Sequence, residues 1–145
     1  MARVEALHTA AGRGAAMEVR DAVPAVADTG LEGDRNFGRG GGRQLTIVSQ
    51  EELEAAGEEL GIVIPPGATR RNVTVSGLKL PRKPGARIKL GSVLVEVVED
   101  CTPCTNMERC VGPGAEQALR GRAGVRARIL DSGTITVGDP VTRAM

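Results

Sequence analysis

Three residues stand out as chemically reactive: Cys101, Cys104 and Cys110, the chain's only thiols, all within VVEDCTPCTNMERCVGPG. Their types and spacing admit a zinc site, a redox pair, or a single soft ligand for another metal. Structural zinc takes four nitrogen or sulfur ligands, and the only histidine available as the fourth, His8, lies far away in the first strand. Cys101-Thr102-Pro103-Cys104 has redox spacing, but such a pair gains a low thiol pKa by opening a helix in a βαβ unit. The flanking segments here read as hairpins instead. Free cysteines also serve as small buried hydrophobes. Cys110 suits that role, whereas Cys101 and Cys104 flank a polar Thr-Pro step just after a strand. On the residues alone these alternatives stay open.

The elements that must position this loop are mostly strands. Arg3 to Leu7 reads as a first strand, and the Gly-, Asp- and Arg-rich stretch from Val23 to Gly42 as a long functional loop. QLTIVS (Gln44–Ser49) is a β-branched strand running into SQEELEAAGEEL, where Ser49 and Glu52 have capping-box spacing and Leu53, Ala56 and Leu60 share a helical face. Pro65-Pro66-Gly67 predicts a turn before the strand NVTVSG. ARIKLGSVLVEVVE reads as a hairpin about Gly91-Ser92, and GVRARILDSGTITVGDPV as a second about Asp131-Ser132-Gly133. Between them GAEQALRG predicts a short helix. The expected class is mainly β: one domain over residues 1–145, a small closed or nearly closed β-barrel with one or two short helices outside it.

Composition excludes several partners. The 145 residues carry a formal net charge of +1, so no bulk field draws the chain to nucleic acid or an anionic membrane. Phe37 is the only aromatic residue, too little for base stacking. No segment has the length of a membrane span or the pattern of a leader. The cytoplasm is the expected compartment, which keeps thiols reduced, and an odd cysteine count argues against a disulfide framework. Arginine outnumbers lysine 16 to three. This is either genome bias or anion recognition, for which the guanidinium fork is suited.

The ordered segments TGLEGDRNFGRGGGRQLTIVSQEE, RRNVTVSGL, GARIKLGSVLVEVVEDCTPC and GVRARILDSGTITVGDPV resemble those of MOSC domains, named after the C-terminal domain of molybdenum cofactor sulfurases. The resemblance covers nearly the whole chain and implies a fold like the β-barrel domain of pyruvate kinase. It also implies a molybdenum cofactor (molybdopterin), with Cys104 as the metal ligand or sulfur-carrying thiol and Cys101 a neighbour. Arg70, Arg71 and Asn72 match the family's cofactor-contacting R-x-N segment. Gly33, Asp34 and Arg35 match its Gly-Asp-Arg, with Arg43 and Thr102 as further members. Asn36-Phe37 follows where relatives often carry histidine.

The activity implied is a reductase or oxotransferase on N-hydroxylated small molecules, fed by a flavin or iron–sulfur protein. The alternative is a sulfur carrier holding a persulfide on Cys104, loaded by a cysteine desulfurase. A third reading is a non-enzymatic barrel with structural zinc. Lys79, Lys83 and Lys89 stand in no Schiff-base context, so no pyridoxal phosphate site is expected.

Overall fold

Alternation along the chain becomes alternation in burial. In one long strand Val93, Val95 and Val97 are buried while Leu94, Glu96 and Val98 are half-exposed, the period-two pattern of a sheet with one covered face. The computed structural model describes residues 1–40, 42–103 and 105–144. Its elements are β1 (Arg3–Thr9), β2 (Glu18–Arg20), β3 (Ala22–Val26), β4 (Gly30–Leu31), β5 (Leu45–Ser49), α1 (Gln50–Leu60), β6 (Val73–Ser76), β7 (Arg87–Leu90), β8 (Val93–Asp100), α2 (Thr105–Cys110), α3 (Ala115–Ala118), β9 (Val125–Ile129), β10 (Gly133–Thr136) and β11 (Val141–Ala144).

Eight strands form one curled sheet in the order β11-β7-β8-β9-β5-β6-β1-β2. Neighbours are antiparallel except β5 and β6, whose parallel pairing needs a crossover. That crossover contains α1. The Ser49 side chain caps α1 by accepting from the Glu52 N–H, and Gly61 ends it in the left-handed conformation. The sheet curls until its ends meet. Arg3 bridges Pro140, the Val4 N–H donates to the Asp139 carbonyl at 2.9 Å, and the Gly138 N–H donates to the Val4 carbonyl at 2.8 Å. Asp139, in the closing Gly-Asp-Pro, therefore sits in the seam of the barrel.

A smaller sheet, β10-β3-β4, covers this curl. Its Val23, Ala25, Leu31 and Ile135 belong to one apolar core with Leu7, Ile47, Val73, Ile88, Val95 and Ile129 of the large sheet. A second core lies between the sheet and the helices, joining Val48 to Leu53, Ala56, Cys101, Met107, Leu119 and Ala123. Burying each such Val, Leu or Ile is worth about 1.5–3 kcal/mol. Solvent-exposed ion pairs such as Arg87–Glu96 and Arg126–Glu99 contribute about 0–1 kcal/mol each. The two cores, not the surface charges, hold the barrel.

Three expectations need correction. The stretch from Val23 to Gly42 is not all loop: it completes β3 and contains β4, with the Pro24 carbonyl accepting from the Glu32 N–H at 3.0 Å. The second hairpin does not form. Both edges of β9 are taken, by β5 and β8, so β10 crosses to the small sheet and pairs with β3. The described helices number three rather than one or two, because TNMERC forms α2. No helix among the described residues is long and apolar enough to cross a membrane.

Candidate functional site

Of the candidate residues, Gly33, Asp34, Arg35, Arg70, Arg71 and Asn72 gather where β1 ends and β6 and β9 begin. Asn72, only 4% exposed, is the hub. Its Oδ1 accepts from the Thr46 N–H at 3.0 Å and the Thr46 hydroxyl at 3.1 Å. Its Nδ2 donates to the His8 carbonyl at 3.1 Å and to Asp34 Oδ1 at 3.3 Å. Asp34 Oδ1 also accepts from the Ala10 N–H at 3.0 Å, and the Arg35 N–H donates to the Ala10 carbonyl at 2.7 Å. The Gly-Asp-Arg loop and the R-x-N segment are thus one hydrogen-bonded unit. An amide offers two donors and an acceptor with two lone pairs, and all of these are used inside the fold. Asn72 and Asp34 hold the loops in place, and the Asn72 amide has no donor or acceptor left over for a ligand.

Gly33 has φ +86, and a Cβ there would lie 3.0 Å from Arg20 Nη1. The same nitrogen donates to Thr9 Oγ1 at 3.3 Å. The glycine lets the Arg20 guanidinium lie against the loop, a residue that no local sequence pattern marks. Arg35, Arg43 and Thr102 are exposed. Of these, Arg35 is built into the hub through its backbone, whereas Arg43 leads into β5 on the other side of the loop.

Arg70 carries two marks of a functional position. Its φ is +62, a left-handed conformation rare for a residue with a Cβ, and such strain costs about 1–3 kcal/mol. Its Nη2 is shielded from solvent and has no hydrogen-bond partner. Arg71 takes a different direction, donating from Nε to the Ala123 carbonyl at 2.7 Å. Next to Ala123, the Gly124 carbonyl accepts from the Cys101 N–H at 2.8 Å. Arg71 therefore brings the R-x-N segment up to the cysteine loop.

Arg82 anchors that loop's other side. It pairs with Glu52 of α1 at 2.9 Å and with Asp100, the last residue of β8, at 2.6 Å, and it also donates to the Gly121 carbonyl. Burial pushes the Glu52 carboxyl up, against the pull of the Arg82 charge.

Cys104 lies outside the described residues. Cys101, 1% exposed, packs in the second core beneath the helices, and Cys110 is exposed on α2. This reverses the sequence expectation, since the buried small hydrophobe is Cys101. Its thiol is pushed up by burial, with the Arg71 charge opposing. A maleimide at neutral pH is therefore expected to label Cys110 within minutes and Cys101 only on unfolding. Mass spectrometry of the labelled peptides checks this, and rapid labelling of Cys101 would show the second core to be open. Among the described residues no three His, Cys, Asp or Glu side chains stand close enough to hold a metal.

A buried guanidinium nitrogen without a partner, beside a loop that carries the exposed Arg35, suits a ligand with an anionic group. The MOSC domain family model matches residues 33–142, spanning the hub, the R-x-N segment and the cysteine loop. Among solved structures, the YuaD protein of Bacillus subtilis shares 22% identity at a TM-score of 0.85, over 97% of this chain and 94% of that one. YiiM of Geobacillus stearothermophilus shares 18% identity at a TM-score of 0.80, over 100% of this chain and 76% of the other. YiiM of Escherichia coli shares 18% at 0.72, over 99% and 70%. These likenesses show a common fold. No curated protein sequence matches the chain. With the family model covering the segments that build the hub and the cysteine loop, the chain belongs to the MOSC domain family.

Proposed function

We propose that the chain binds a molybdenum cofactor through Cys104 and acts as a reductase or oxotransferase on N-hydroxylated small molecules. Family membership supports a MOSC-type role. The observation that carries the ligand is Arg70, whose strained backbone holds a guanidinium nitrogen that is buried and unpaired. A buried donor left unmade costs about 1–3 kcal/mol, which an anionic group would recover.

In this reading Arg70 meets the cofactor's phosphate, with Arg35 and Arg71 adding charge. Asn72, Asp34 and Gly33 keep the two loops in register, while Thr102 and Arg43 border the opening. The Cys104 thiolate is the soft donor that molybdenum favours over a hydroxyl. When bound, the cofactor would supply two-electron oxygen-atom chemistry, in which an N–O bond breaks and two protons and two electrons carry the oxygen away as water. The electrons come from a flavin or iron–sulfur partner, and the thiolate role of Cys104 calls for a reducing compartment such as the cytoplasm.

Metal analysis of protein purified from a molybdenum-replete host tests the reading. Near-stoichiometric molybdenum, absent from protein made under depletion, is the expected result. A persulfide on Cys104 without molybdenum would replace it with the sulfur carrier. Stoichiometric zinc would replace it with a structural metal site.

A further inference from the structure

Two other buried polar atoms, on His8 and on Thr69 next to Arg70 in sequence, share Arg70's condition. His8 Nδ1 and Thr69 Oγ1 are shielded from solvent and have no hydrogen-bond partner. Their side chains belong to residues 5% and 3% exposed. The segment Pro65–Arg70 makes two successive tight turns, closed by Ala68 N–H to the Pro65 carbonyl at 3.1 Å and Arg70 N–H to the Gly67 carbonyl at 2.9 Å. The turns press Gly67 onto the imidazole so closely that a Cβ there would lie 2.7 Å from His8 Nε2. The His8 N–H in turn donates to the Asn72 carbonyl at 2.8 Å. One short loop thus folds over His8 and carries both other unpaired groups.

We infer that His8, Thr69 and Arg70 form a closed oxyanion site beneath the Pro65–Arg70 loop, taking a tetrahedral dianion such as a phosphate monoester or sulfate. The inference rests on the reading that Arg70 meets a phosphate and adds two residues to it. The chemistry is consistent: a hydroxyl and a guanidinium donate to anionic oxygens, and an imidazolium adds a third donor and a charge. His8 also makes the site pH-responsive. Burial pushes its imidazole below the ordinary value, so it enters neutral at neutral pH. An anion favours the charged form, so binding tightens as pH falls toward that lowered value. The other charges around His8 are Arg70 on the loop, Asp34 in the hub, and Glu18 and Arg20 on β2. His8 is the histidine of this site, and imidazole is the side chain whose ordinary charge change falls between pH 5 and 8.

Sulfate, which stays a dianion throughout that range, is the probe. Thermal unfolding of the full chain is followed against sulfate concentration at pH 5.5 and pH 8, with sodium chloride matching ionic strength. Saturable stabilisation is expected, with an apparent affinity at least severalfold tighter at pH 5.5. His8→Gln should abolish the pH dependence. Arg70→Gly should abolish the response while leaving the protein at least as stable without sulfate, since it relieves the positive φ. Arg143→Ala, at an exposed position on β11, should leave the response unchanged. Thr69→Val serves as the second variant if His8→Gln fails to fold, and it should weaken the response at both pH values. A response equal to that of chloride, or one that survives Arg70→Gly, would overturn the site. Molybdenum content is read separately: metal bound without a sulfate response sinks this site alone, and a sulfate response without metal sinks only the cofactor reading.

Discussion

Asn72→Ala is expected to destabilise the protein by about 3 kcal/mol, the scale of a buried polar group that leaves several partners unmade. The side chain links four segments at once: β1 through the His8 carbonyl, the Gly-Asp-Arg loop through Asp34, and β5 through both polar groups of Thr46, all from the start of β6. Truncation leaves the Thr46 N–H and His8 carbonyl short of partners in a shielded position, where water cannot easily replace them. Asn72→Asp sharpens the test. It keeps the shape and the acceptor for Thr46, but sets a second carboxylate oxygen where Nδ2 had been, 3.3 Å from Asp34. Two carboxylates at that distance cannot both ionise cheaply, so one takes up a proton and its folded pKa rises above its unfolded value. Stability lost at neutral pH should therefore return as pH falls through that raised pKa, because the proton restores a donor. Urea unfolding of both variants at pH 5 and pH 8 measures this. A loss below about 1 kcal/mol for Asn72→Ala would mean that the hub is not buried in solution.

Cys104→Ser is expected to reduce molybdenum content to background while the circular dichroism spectrum and melting temperature stay near those of the parent. Serine is nearly the same size, but its hydroxyl is a hard donor that remains protonated at neutral pH, where a thiolate is a soft anion. Cys110→Ala, altering an exposed side chain on α2, should keep its metal. Equal molybdenum in Cys104→Ser and parent protein would remove Cys104 from the metal. A loss in Cys110→Ala as large as in Cys104→Ser would indicate a ligand set drawn from several thiols.

What the sequence revealed depended on how local the cause was. Ser49 caps α1 and Gly91-Ser92 turns β7 into β8 because both depend on residues a few positions apart. Asp131-Ser132-Gly133 has equally good turn chemistry, yet no hairpin follows. Pairing depends on which edges are vacant, and β5 and β8 already occupy both sides of β9. The Gly, Asp and Arg content of Val23 to Gly42 reads as loop, but β3 forms there because its neighbours β10 and β4, distant or short in sequence, pair with it. The Gly-Asp-Arg and R-x-N residues were legible as motifs. Their division of labour was not, because only the fold shows that Asn72 and Asp34 satisfy one another while Arg70 stays unpaired. His8 and Arg20 carried no local signal, since each owes its place to contacts distant in sequence.

The seam at Arg3 and Pro140 bears on how the chain reaches this state. The strand formed first along the chain closes against residues placed almost at its far end. Bringing such distant segments together loses chain entropy before any contact compensates for it. The Gly91-Ser92 hairpin and α1, being local, have no such obstacle. Folding should therefore be slow for a protein of this size, with the seam zipping last and amide protons at Val4 and Gly138 gaining protection later than those along β7 and β8. Until it closes, β11 and the first half of β1, which lies beyond the pairing with β2, each expose an unpaired edge, an arrangement that favours association between chains. Refolding yield should accordingly fall as protein concentration rises, even where the folded protein is highly soluble.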